Sequence, residues 1–139
     1  MIQKKNNEKQ YYIDSYGPDT EAAKKAFIWL VSQPTIEGYI GVMSKGTFKE
    51  AVVYSEAMGD NIVKKLSKNN EAIVNNKRII LAYRPYIKYK RQYPIVVYYP
   101  NKKFLDMIDS LQPSSIFVVP WIENELDYWI NKYNAIEIK

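Results

Sequence analysis

The chain has 139 residues, 47% of them apolar and 25% charged, with a net charge of +5; this is the composition of one globular domain with a core of its own. It holds no cysteine and no histidine, which excludes disulfides, thiolate and Ser–His nucleophiles, and zinc sites built on those ligands. Acid–base work would fall to carboxylates, lysine or tyrosine, and any metal would be an oxygen-ligated hard cation.

Residues 1–16 are polar and read as an N-terminal arm, flexible except where Tyr11, Tyr12 and Tyr16 dock it. No apolar run follows the basic start, so it does not read as a signal peptide, and the longest apolar runs fall far short of a membrane span. A cytoplasmic protein without a membrane partner is the expectation. Residues 17–139 are expected to form a single domain.

Gly17-Pro18-Asp19-Thr20-Glu21 has the composition of a helix start. Ala23, Ala26, Phe27 and Leu30 follow at i, i+3, i+4 and i+7, one helical face, and Pro34 closes it. Residues 38–43 read as a strand. Residues 44–59 fork. Thr47 and Glu50 have capping-box spacing before a face of Phe48, Ala51, Val52 and Ser55. Alternatively, Lys45-Gly46 turns a hairpin into a strand over 48–54. The helix is favoured. Asp60 is placed to cap a short helix over 61–68.

Residues 78–84 are a strand, and the unbroken apolar run 79–82 suits burial on both faces. The basic, tyrosine-rich stretch 84–92 reads as a connection or edge strand. Residues 94–99 are the next strand, Asn101 caps a helix over 102–111, residues 115–119 are another buried strand, and a helix over 122–133 precedes a last strand near 135–138. Short apolar strands alternating with amphipathic helices predict an α/β fold: one small three-layer domain with a mostly parallel sheet flanked by helices. The runner-up is an α+β domain with an antiparallel hairpin near residues 38–54.

Charge is unevenly spread. Residues 72–105 carry eight basic and no acidic side chains, while residues 106–139 carry two basic and six acidic ones. The leading functional expectation is therefore a non-catalytic binding domain for nucleic acid or another polyanion. Lys77, Arg78, Arg84, Lys88, Lys90, Arg91, Lys102 and Lys103 would meet phosphates, and Tyr86 and Tyr89, with Tyr83 and Tyr93, would stack on bases. Helix-turn-helix spacing, zinc-finger ligands and an RNP-type aromatic motif are missing.

The alternative expectation is a nucleotide or other phosphorylated small ligand, bound where open α/β sheets bind ligands, beyond the carboxyl ends of the strands. That rule collects Ser44, Lys45, Thr47, Arg84, Tyr99, Asn101, Trp121 and Glu123. Ser44-Lys45-Gly46-Thr47 lacks the glycine and Gly-Lys-Thr order of a Walker A loop. Asp106, Asp109, Glu123, Glu125 and Asp127 are acidic but are explained by helix positions, and no metal, cofactor or catalytic constellation is expected. A third expectation is a protein-interaction or self-assembly domain, with a homo-oligomer as partner, packing through exposed aromatics.

Overall fold

A computed structural model describes residues 9–83, 93–122 and 124–139. Among these residues, seven strands form one sheet: β1 (Lys9–Tyr12), β2 (Glu37–Val42), β3 (Glu71–Val74), β4 (Lys77–Tyr83), β5 (Ile95–Tyr98), β6 (Ser115–Val119) and β7 (Ile136–Glu137). Their order across the sheet is β3-β4-β2-β5-β6-β1-β7, and every neighbouring pair is parallel except β3–β4. Six helices complete the described chain: α1 (Thr20–Ser32), α2 (Lys45–Glu50), α3 (Val52–Met58), α4 (Asp60–Asn69), α5 (Lys102–Ser110) and α6 (Asp127–Tyr133). The fold is the expected α/β domain with a mostly parallel sheet.

Alternation along the strands divides the core in two. Ile40, Val42, Val96, Tyr98, Phe117 and Val119 point to one face, where α1, α3 and α4 bring Ala23, Leu30, Val53, Tyr54, Val63 and Leu66. Tyr39, Ile95, Val97, Ile116 and Val118 point to the other, under Phe104, Leu105 and Ile108 of α5, Trp129 of α6 and Leu126 just before it. Both faces of β5 and β6 are thus covered, and every position of the two strands is buried, all but Ser115 being apolar or aromatic. On the first face α1 lies close against β2. A Cβ added at Gly38 would stand 2.8 Å from Leu30 Cδ1, so a residue without a side chain is what lets helix and strand approach this closely.

Caps set the helix starts. Asp19 accepts from the Ala22 amide (3.0 Å) and Asn101 from the Phe104 amide (2.8 Å). The helical branch of the fork holds in place of the strand, but as two helices, α2 and α3, broken at the extended Ala51 (ψ 127°), so Val52 is exposed and not on a shared face with Phe48. The cap of α2 is Ser44, whose Oγ accepts from the Thr47 amide, rather than Thr47 itself. The antiparallel hairpin lies elsewhere, between β3 and β4. Asn75 and Asn76 both have positive φ (51° and 66°), the left-handed turn that a tight hairpin requires and that asparagine tolerates.

Of the stretch 1–16 read as an arm, residues 1–8 lie outside the described residues, and residues 9–12 are docked through Tyr11 and Tyr12 as part of the sheet. They form β1, an interior strand between β6 and β7, in register Lys9↔Ser115 to Tyr12↔Val118. The last helix begins at Asp127 rather than 122, and Ile122 is exposed. The edge-strand reading of 84–92 falls outside the described residues. Among the described residues no helix is long and apolar enough to cross a membrane.

Candidate functional site

The chain leaves the carboxyl ends of neighbouring strands in opposite directions at two places. After β2 it runs into α2, α3 and α4 on the first face, whereas after β5 it runs into α5 on the second. β2 and β5 are parallel neighbours. Again, β6 feeds α6 on the second face while its parallel neighbour β1 feeds α1 on the first. Diverging connections leave a crevice, and this is where open α/β sheets bind ligands.

Each crevice holds a cavity. The one between β2 and β5 measures about 280 Å³ and is lined by Val42, Met43, Ser44, Thr47, Tyr54, Tyr98, Tyr99 and Trp121. The one between β6 and β1, about 170 Å³, is lined mainly by polar and acidic residues. A larger groove of about 570 Å³ lies on the outer helix layer between α2–α3 and α4. Its walls set Lys49, Lys64 and Lys68 against Glu50 and Asp60, away from the strand ends, and an open surface groove of mixed charge is the weaker candidate.

Tyr99 is the centre of the β2/β5 cleft. It follows the last residue of β5 and takes a left-handed backbone (φ 53°), a conformation that costs a bulky residue about 1–3 kcal/mol. Its amide donates to the Val119 carbonyl (2.8 Å), which ties the turn to β6. The ring stands 6.0 Å from Tyr54, 5.9 Å from Tyr98 and 5.1 Å from Trp121, the last contact edge-on at 81°. Its hydroxyl is buried and has no partner among the described residues. Burial first, and then the charge of Asp19, push the Tyr99 phenol up to about 12.

The other phenols of the cleft are also held protonated. Tyr98 Oη donates to the Ala23 carbonyl (2.8 Å), and complete burial raises its pKa well above the usual value. Burial, with Tyr99 beside it, raises that of Tyr54. Trp121 is 45% exposed and forms the cleft's open edge. Its position is fixed by Glu125, whose Oε1 accepts from the amides of Trp121 (3.1 Å) and Ile122 (3.0 Å).

Of the residues expected at the strand ends, Ser44, Thr47, Tyr99 and Trp121 converge on this cleft. Lys45 turns aside: its Nζ donates to Asn70 Oδ1 (3.0 Å) and lies 5.4 Å from the centre of the Tyr83 ring. Asn101 is committed to capping α5. Arg84 and Glu123 lie outside the described residues. Tyr54 and Tyr98 were not foreseen as lining the cleft, because only the strand order brings α3 and β5 to the same opening.

Of the basic residues expected to bind polyanions, the four that are described lie at two separate places. Lys77 and Arg78 begin β4, while Lys102 and Lys103 lie beyond the carboxyl end of β5, which runs the same way. Lys77 is buried, and its ammonium donates to the carbonyls of Gln33 (2.7 Å) and Thr35 and to Thr35 Oγ1 (3.1 Å). Arg78 is held between Glu71 (3.1 Å) and Glu37 (3.2 Å). Lys102 pairs with Asp106 (2.9 Å) and lies over the Tyr128 ring, and Lys103 is exposed. Arg84, Tyr86, Lys88, Tyr89, Lys90 and Arg91 fall outside the described residues.

The acids of the C-terminal third are mostly engaged as well. Asp109 accepts from Trp129 Nε1 (3.0 Å), Asp106 pairs with Lys102, and Glu125 holds the Trp121 turn. Among the described residues no three carboxylates converge in a way that would hold a metal ion. No family model, curated protein or solved structure matches the chain.

Proposed function

We propose that the protein is a binding domain for a small, flat aromatic ligand of the nucleobase or nucleoside class, seated in the cleft between β2 and β5. The observation that carries this reading is the buried, unpartnered Tyr99 hydroxyl beside an aromatic cavity at a crevice where such sheets bind ligands. A protonated phenol is a hydrogen-bond donor, and a ring nitrogen or carbonyl of the ligand would satisfy it. Trp121 and Tyr99 supply stacking surface, and Ser44 and Thr47 add hydroxyls at the rim. The described lining holds no cation, so a nucleoside suits it better than its phosphate. Nothing there combines a base with a nucleophile, which favours binding without turnover.

The test is a titration with adenosine, followed by tryptophan emission. Trp129 is buried and Trp29 half-buried, so quenching on binding should come from Trp121. Trp121→Ala should weaken adenosine binding by about tenfold or more, the loss of one base–aromatic stack. Adenosine monophosphate should bind no more tightly than adenosine. If neither adenosine nor any free nucleobase altered the emission or raised the melting temperature, this reading would fail.

The second reading, polyanion binding through residues 77–103, rests on the run of eight basic and no acidic side chains between residues 72 and 105. Its mark would be oligonucleotide binding that weakens steeply as salt rises.

A further inference from the structure

The crevice between β6 and β1 differs in chemistry from the first. Its cavity of about 170 Å³ is lined by Tyr12, Asp14, Ser15, Glu125, Asp127 and Glu137 among others, and by no lysine or arginine. Four of these are acids. Glu125 is spent on the Trp121 turn, and Glu137 is only loosely held, by the Tyr12 hydroxyl at 3.5 Å and Lys139 at 3.8 Å. Asp14 and Asp127 are exposed, and among the described residues neither carboxylate has a hydrogen-bonded or ion-pair partner.

Acids alone do not make a site, but Ser15 adds an independent sign. It is 8% exposed, lines this cavity and the adjoining depression beside α1, and its Oγ is buried with no partner among the described residues. A buried hydroxyl without a hydrogen bond is costly, and native proteins hold few of them. The Tyr12 phenol is raised above its usual value by burial and then by the charges of Glu137 and Asp14, which places the negative potential at the same point.

We infer that this second crevice binds a small organic cation, a primary amine of diamine size. The carboxylates of Asp14, Asp127 and Glu137 and Ser15 Oγ would be shared between the two ammoniums of the diamine, each of which offers three donors. A bare metal ion is the poorer occupant, because among the described residues no three acids close to metal-ligand distance. A diamine tolerates a wider spread of carboxylates, since its stem holds two ammoniums apart. The inference is independent of the aromatic cleft and stands or falls without it.

The test is a titration of the intact protein with 1,4-diaminobutane, followed by backbone amide NMR. The uncharged 1,4-butanediol and potassium chloride at matched ionic strength are the controls. The expected result is saturable shifts confined to residues 12–15, 124–127 and 137, absent with the diol. Asp14→Asn should weaken binding by about tenfold, the loss of one charge-assisted hydrogen bond. Ser15→Ala should also weaken it while leaving the free protein at least as stable as the parent, because the lost hydroxyl has no internal partner; a purely structural serine would not separate the two. Shifts that spread without saturation over every acidic surface, the same response to the diol, or unchanged binding in both variants would each overturn the inference.

Discussion

Lys77→Met should destabilise the protein by about 2–4 kcal/mol, a large effect for one residue of a basic stretch. The residue is only 4% exposed, and its ammonium gathers two carbonyls and a hydroxyl from residues 33–35, the turn between α1 and β2. Methionine keeps most of the stem but gives those oxygens no donor. Denaturant unfolding measures the change. The same variant separates structure from binding: any oligonucleotide affinity carried by the basic stretch should survive the substitution, because this charge already has its partners inside the protein. Unchanged stability would mean that the turn does not depend on Lys77.

Trp129→Ala should cost about 3–5 kcal/mol, the range for emptying a buried aromatic site. The side chain is fully buried and fixes α6 over Val97, Ile116 and Val118. Its Nε1 spans both carboxylate oxygens of Asp109 on α5, at 3.2 and 3.0 Å, so it joins the two helices of that layer. Trp129→Phe separates the contributions: it retains much of the volume and loses only the bond to Asp109, and it should cost about 1–3 kcal/mol. Equal losses for the two variants would show that the bond, and not the packing, holds the layer.

The sequence makes the strands at the middle of the sheet plain and the outlying ones obscure for one reason. Residues 79–82 and 116–119 lie in strands covered on both faces, so burial is written into an unbroken apolar run. Lys9–Tyr12 is polar and half-exposed, and it is a strand because β6 and β7 lie beside it, which no local pattern records. β3 follows from the Asn75–Asn76 turn rather than from its own residues. The cap of α2 was ambiguous because Ser44 and Thr47 both carry the needed hydroxyl.

Site residues divide in the same way. The strand-end rule finds Ser44, Thr47, Tyr99 and Trp121 without a strand order. Tyr54 enters the cleft only once β2 and β5 are known to be neighbours. Charge was the less faithful guide. A lysine's long stem can follow the core while its ammonium finds carbonyl oxygens, and nothing local to Lys77 records that Gln33 and Thr35 wait for it. Asp109 is similar, since its partner Trp129 is twenty residues away.

The most direct measurement of the central claim is Tyr99→Phe, read both by unfolding of the free protein and by adenosine titration. A hydroxyl buried without a partner destabilises the free fold and is repaid only when a ligand accepts from it. Phenylalanine should therefore stabilise the free protein by about 1 kcal/mol and weaken adenosine binding by about tenfold. Opposite changes in stability and affinity are the predicted result. A variant less stable than the parent, or one that bound adenosine as tightly, would contradict a cleft built around Tyr99.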